Sequence, residues 1–186
     1  MSSEQICSES SLAPAAPAKV VEQAVDYTHD GVALQGYLAF DDAITGPRPA
    51  VASFHDWRGL GDQPKETARR LAALGYLGFA ADMYGKGVLA ATNEEAGKLA
   101  GAFKPADNRT LMRRRAAEGL RQVLVNPLAD QARVAAMGFC FGGGVALELA
   151  RSGAPLAGVV SVHGTLATPA PAAAGAKTAG KPRQRA

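Results

Sequence analysis

Residues 133–144 constrain the fold more than any other stretch of this chain. An apolar run over 133–139 passes into Gly138-Phe139-Cys140-Phe141-Gly142-Gly143-Gly144, and a helix-forming segment then continues to residue 151. A strand that turns directly into a helix through a small-x-nucleophile-x-small pentapeptide is a nucleophile elbow. Its flanks must be small because the central backbone is strained and its neighbours pack closely against it. The turn sets the Cys140 thiol above the C-terminal edge of a sheet and at a helix N-terminus, where the dipole favours a thiolate. Two rival readings are weaker. A dinucleotide loop requires Gly-x-Gly-x-x-Gly and an acid about 20 residues on. Cys140 occupies the second glycine position, no acid lies near residue 160, and the Walker lysine is missing. A free cysteine is also a common small core residue, but the elbow context favours a nucleophile position over that reading.

The rest of the chain supplies a sheet for such an elbow. Apolar runs at 20–27 and 33–40 flank His29-Asp30-Gly31, and Asp-Gly between such runs signals a hairpin. A short strand over 50–54 precedes the loop His55-Asp56-Trp57-Arg58-Gly59-Leu60-Gly61. Asp62 is the expected N-cap of a helix reaching about residue 74, with Pro64 tolerated in the first turn and Gly75 as the stop. A buried strand over 76–81 ends in Asp82-Met83-Tyr84-Gly85-Lys86-Gly87. Helices over 94–102 and 108–124 follow, broken at Lys104-Pro105, and a last strand covers 156–163. Strands that read as continuous apolar runs and alternate with helices form a parallel sheet covered on both faces. With the leading hairpin the sheet is mixed and mostly parallel, in one α/β domain.

Composition decides what the surface can do. The chain is 186 residues long with a formal net charge of +3, but no acid follows Glu148. Residues 1–148 hold every one of the 17 acidic side chains and 15 of the 20 basic ones. The basicity thus belongs to the tail, whereas a nucleic-acid face needs basic residues clustered on a folded element. The one cluster, Arg113-Arg114-Arg115, reads as a solvated helix face. Residues 1–19 form a Ser/Ala/Pro-rich leader with Glu4 and Glu9 and no apolar core, unlike a secretory signal. Residues 20–166 form the domain. Residues 167–186 have no large apolar side chain and read as a disordered basic tail. Cys7 and Cys140 match neither a disulfide framework nor a metal spacing, and no metal or cofactor is expected. No apolar run is long enough to span a membrane, so the expected location is cytoplasmic.

Taken together, Phe54-His55-Asp56-Trp57-Arg58-Gly59-Leu60, residues 68–76, Ala81-Asp82-Met83-Tyr84-Gly85 and residues 138–143 resemble the dienelactone hydrolase family of α/β-hydrolases. The likeness runs in order from about residue 22 to 166. It implies an α/β-hydrolase-type sheet, Cys140 as nucleophile, and a small-molecule ester or lactone as substrate. It also implies an oxyanion hole from the backbone N–H groups of Phe141 and Trp57. Asp56 would be the acid that contacts the resting thiol, although the family often has the longer glutamate there. Lys86 falls where such enzymes carry a cation for a substrate carboxylate, and an ordinary loop lysine is an equal reading.

A thiol nucleophile generally needs a base and an acid to orient it, and in this fold the chain order is nucleophile, acid, histidine. Downstream of Cys140 the chain offers only Glu148, about 12 Å along the elbow helix, and His163 at the end of the next strand. Upstream, His55 reads as a structural loop residue. The expectation is therefore a C-terminally truncated or frame-shifted member lacking the last strands, whose final apolar strand lies at an unpaired edge open to self-association. Three functions remain open: an ester or lactone hydrolase, a crippled homologue that is acylated without turnover, and a thiol-based sensor or interaction module.

Overall fold

The computed structural model describes residues 19–103 and 108–166. The leader apart from Lys19, the Lys104-Pro105 break and the tail from residue 167 lie outside the described residues. The elements are β1 (Val20–His29), β2 (Val32–Asp41), β3 (Arg48–Phe54), α1 (Asp62–Ala73), β4 (Leu77–Ala81), α2 (Asn93–Gly101), α3 (Asn108–Leu124), β5 (Ala129–Phe139), α4 (Phe141–Arg151) and β6 (Gly158–Val162). They build one six-stranded sheet in the order β1-β2-β4-β3-β5-β6.

The hairpin follows its turn chemistry. β1 and β2 pair antiparallel from Val20↔Asp41 to His29↔Val32. Asp30 and Gly31 both take positive φ, 48° and 76°, which matches the right-handed twist of the flanking strands. β2 then pairs antiparallel with β4, while β4, β3, β5 and β6 are mutually parallel. The sheet is therefore mixed and mostly parallel, with helices on both faces. No helix among the described residues is long and apolar enough to cross a membrane.

The two faces are packed in different ways. On one, Ala68 and Ala72 of α1 meet Ala39 and Ala80. A Cβ at Gly78 would stand 2.5 Å from the Ala68 carbonyl oxygen, so α1 lies directly on β4. The other face carries the large side chains Leu34, Phe54, Leu77, Phe79 and Val134, in one core cluster with Val145 and Leu149 of α4. Each contributes about 1.5–3 kcal/mol by leaving water.

Two expectations are corrected. The N-cap of α1 is Gly61, without a side-chain bond, and Asp62 is the first helical residue, where its charge faces the dipole. The Arg113-Arg114-Arg115 triplet is not a solvated face. Arg115 is buried, donates to the Met83 carbonyl at 2.9 Å and lies 5.6 Å from the Phe103 ring. Arg113 reaches inward to Glu148, and only Arg114 lies outside, paired with Asp30. Consecutive helical residues point about 100° apart, so three adjacent arginines meet three environments.

Chain order also locates the site. From central β3 the chain moves to β4 on one side, then crosses to β5 on the other. The crevice at the carboxyl ends of β3 and β5 is therefore the topological switch point of the sheet, where ligands of open α/β folds bind. The loop 55–61 leaves one side of that crevice, and Cys140 stands on the other.

Candidate active site

Cys140 links β5 to α4 with φ 53° and ψ −115°. A non-glycine residue in that region costs about 1–3 kcal/mol and persists only where its surroundings over-determine it. Here they do. A Cβ on Gly138 would stand 2.2 Å from the Gly142 carbonyl carbon, and one on Gly142 would stand 2.1 Å from the Phe54 carbonyl oxygen. A Cβ on Gly143 would meet Ser161 Oγ at 2.7 Å. These glycines let the start of α4 lie against the end of β3 on one side and the end of β6 on the other. The Cys140 N–H donates to the Val162 carbonyl at 2.9 Å, and the Cys140 carbonyl accepts from the Gly143 and Gly144 N–H groups. The half-buried thiol is thus carried on the first turn of a helix whose opening turn contains no acid.

The opposite wall is the 55–61 loop. Fully buried His55 holds it by two bonds. Its Nδ1 lies 2.6 Å from the Asp56 carbonyl oxygen and therefore carries the proton. Nε2 is then an acceptor and takes the Met83 N–H at 3.1 Å. Burial above all pushes the His55 pKa down, against the Asp56 carbonyl and the charges of Asp82 and Asp56. A neutral imidazole with both nitrogens engaged has no lone pair for the thiol proton, which agrees with its structural reading.

The loop after β4 fixes the other end of these contacts. Buried Asp82 accepts from the Tyr84 and Gly85 N–H groups at 2.9 and 3.1 Å through Oδ1, and from the Gln35 N–H at 3.2 Å through Oδ2. Tyr84 then donates its hydroxyl to the Trp57 carbonyl at 3.1 Å. Its ring packs 4.6 Å from His55 and 5.5 Å from Phe141, and Phe103 closes the cluster 5.6 Å from Phe141. Burial raises the Tyr84 pKa, and the charges of Asp56 and Cys140 add to it. Tyr84 therefore braces the walls of the candidate site, a role that sequence reasoning passed over although its motif Asp82-Met83-Tyr84-Gly85 was in view. No spacing rule marks a tyrosine that bridges two loops 27 residues apart.

The remaining candidates are placed as follows. Phe141 is the first residue of α4 and Trp57 lies in the opposing loop. Among the described residues neither backbone N–H donates to a backbone carbonyl outside regular elements, as expected of a helix start. Asp56 Oδ1 accepts the Arg58 N–H at 2.8 Å in a local turn, and among the described residues its second oxygen has no hydrogen-bond partner. Lys86 forms an ion pair with Asp26 at 2.8 Å, and its side chain lowers the Asp26 pKa foremost by that bond. His163, exposed and at φ 44°, follows β6 with its ring 6.4 Å from that of Phe139. Glu148 is fully buried and ion-paired with Arg109, Arg113 and Arg151 at 2.8, 2.7 and 3.0 Å. It clamps α3 to α4, and removing one partner of such a buried cluster costs about 3–5 kcal/mol.

Comparison with known proteins gives the family and the fold. The model of the dienelactone hydrolase family matches residues 34–182. A protein of Aquifex aeolicus named "putative carboxymethylenebutenolidase" is 40% identical over 81 residues, which cover 41% of this chain and 33% of that protein. One of Saccharolobus solfataricus with the same name is 25% identical over 181 residues, covering 77% and 66%. Among solved structures, a dienelactone hydrolase-like promiscuous phosphotriesterase from metagenomic libraries shares 41% identity at a TM-score of 0.73, covering 78% of this chain and 59% of its own. The structure named m3DLH shares 38% identity at a TM-score of 0.76, covering 80% and 61%. The chain thus spans about three fifths of the length of those solved relatives.

Proposed function

The chain belongs to the dienelactone hydrolase family, and from that premise we propose that it hydrolyses a carboxylic ester or lactone through Cys140. The carrying observation is the strained elbow itself, with Cys140 at φ 53° walled in by glycines that admit no Cβ. In the proposed reaction the Cys140 sulfur attacks the carbonyl carbon. Negative charge gathers on the carbonyl oxygen, where the Phe141 and Trp57 N–H groups stabilise it. Such preorganised donors are worth about 3–4 kcal/mol each. The C–O bond then breaks, the alkoxide leaves as the alcohol after taking a proton, and a thioester to Cys140 remains for water to cleave. Asp56, with one carboxylate oxygen free of its turn, would hold the resting thiol. The Tyr84 bond to the Trp57 carbonyl supports the reading by fixing the peptide that follows the Trp57 N–H within the loop.

Thioester hydrolysis needs a base, and His55 cannot be that base while both its nitrogens are engaged. This favours a second reading, a protein acylated at Cys140 without efficient turnover. 4-Nitrophenyl acetate separates the two. Steady release of nitrophenolate, abolished in Cys140→Ala, supports hydrolysis. A burst of one equivalent per chain, likewise abolished, supports the second reading. No release above the Cys140→Ala background defeats both and leaves a thiol sensor or interaction role. Because one relative is named a phosphotriesterase, a neutral phosphate triester is the natural second substrate to try.

A further inference from the structure

Between Met83 and Trp57 the hydrogen bonds run as a chain through one side chain. The Met83 N–H donates to His55 Nε2 at 3.1 Å, and the His55 Nδ1–H donates to the Asp56 carbonyl oxygen at 2.6 Å. That carbonyl belongs to the same peptide unit as the Trp57 N–H, one of the two proposed oxyanion donors. The unit is trans, so its C=O and N–H point in opposite directions. Because His55 is completely buried, a carbonyl turned toward its ring turns the N–H away from the interior. Among the described residues the Trp57 N–H has no hydrogen-bond partner.

Polarisation follows the same path. A carbonyl that accepts a bond draws electron density through its amide and strengthens the N–H at the other end as a donor. His55 also reaches the second donor. Its ring stacks on that of Phe141 with centroids 6.0 Å apart and planes 27° from parallel. A Cβ on Gly142, the residue after Phe141, would stand 2.5 Å from the His55 carbonyl oxygen. One buried residue thus orients the 56–57 peptide and spaces its loop from the first turn of α4.

We propose that His55 is a positioning residue for attack on a carbonyl: its Nδ1–H aims and polarises the Trp57 N–H, while its ring and carbonyl set the gap to Phe141. This rests on the Cys140 nucleophile and the oxyanion pair of the proposed reaction. Two substitutions separate the aiming bond from simple anchoring. The asparagine amide nitrogen lies as many bonds from Cα as Nδ1, so His55→Asn keeps a donor for the Asp56 carbonyl. The glutamine amide lies at the level of Nε2, so His55→Gln keeps an acceptor for the Met83 N–H and loses that donor.

Two reactions of Cys140 are compared in each full chain. With 4-nitrophenyl acetate the sulfur attacks the carbonyl carbon, charge gathers on its oxygen, and nitrophenolate leaves an acetyl thioester behind. Its first-turnover release is read above the Cys140→Ala background. With iodoacetamide the S–C bond forms as iodide leaves, and no oxyanion arises. Adducts at Cys140 are resolved from those at Cys7 by peptide mass spectrometry.

The readout is the ratio of the acylation rate to the alkylation rate. His55→Gln is expected to lower it roughly tenfold, less than the roughly 10²–10³ lost with a whole oxyanion donor. His55→Asn should keep most of it. Equal falls in both rates mark a merely structural brace and overturn the proposal, as does a lower ratio in His55→Asn than in His55→Gln. An unchanged ratio in His55→Gln overturns it with the nucleophile intact. In the wild-type chain, nitrogen-15 spectra should show the Nδ1–H tautomer of His55, and the Nε2–H tautomer overturns the proposal without any variant. No wild-type acylation above the Cys140→Ala background overturns the proposed reaction and the positioning role together.

Discussion

The crevice between β3 and β5 and the outer edge at β6 support the same residue, Cys140, with unequal firmness. On the β3 side the elbow meets the Phe54 and His55 carbonyls without room for a methyl group, over a core that buries Phe54 and His55 completely. On the β6 side it rests on the Val162 carbonyl, Ser161 and Gly164, at the end of a five-residue strand with Val160 54% exposed. One wall of the elbow is set by the interior and the other by a margin. Local opening is easiest where few apolar contacts stand behind the hydrogen bonds, so the elbow should loosen first from β6.

Three measurements can break or sharpen that contrast. The largest effect should come from Gly142→Ala, whose methyl would stand 2.1 Å from the Phe54 carbonyl oxygen. Backbone cannot yield as a side chain can, and a loss of about 3 kcal/mol or more is expected from forced overpacking. Gly144→Ala, with its nearest neighbour at 3.8 Å, should be neutral or up to about 1 kcal/mol stabilising from helix propensity. Urea unfolding of both proteins checks the pair, and equal destabilisation would refute the picture of a one-sided clamp.

The second is a pH effect at the firm wall. Folding lowers the His55 pKa, chiefly by burial, so below the unfolded value of about 6.5 the unfolded chain binds the proton more readily. Stability is fully present above that pH. It should fall as pH drops toward the folded pKa, with a limiting slope of about 1.4 kcal/mol per pH unit for one proton. His55→Gln is expected to flatten that part of the profile whatever its absolute stability. A wild-type profile already flat between pH 6.5 and 5.5 would be the contrary result.

The smallest effect belongs to the margin. Val160→Lys places a charge on an exposed edge residue and should alter monomer stability by less than about 0.5 kcal/mol. We propose that it also weakens self-association, since unpaired edges template further pairing and charge blunts them. Sedimentation velocity of both proteins across a concentration series checks this, and indistinguishable profiles would remove the edge as an association surface.

How much of this was legible beforehand varied with the kind of interaction. The Asp30-Gly31 turn and the glycine-flanked Cys140 could be read because local backbone geometry restricts which residues fit. The helix boundaries held to within a residue or two for the same reason. The Gly61 cap was missed because Asp62 has the right chemistry one position too late. The arginine triplet was misread because its partners, Glu148, the Met83 carbonyl and Asp30, come from other parts of the chain. Tyr84 stood inside a quoted motif, but its bracing role depends on the Trp57 carbonyl and the His55 and Phe141 rings, which come from other parts of the chain.

By itself, then, the sequence determined the α/β class, the hairpin, the elbow and the family to which the chain belongs, because periodicity and steric exclusion act between near neighbours. Only the tertiary structure decided that His55 is a locked brace, that Glu148 holds two helices together, and that Lys86 has Asp26 as its counter-ion. Those outcomes depend on which charges and hydrogen-bonding groups meet across elements far apart in the chain. Burial and pairing are properties of that meeting, and no single segment carries them.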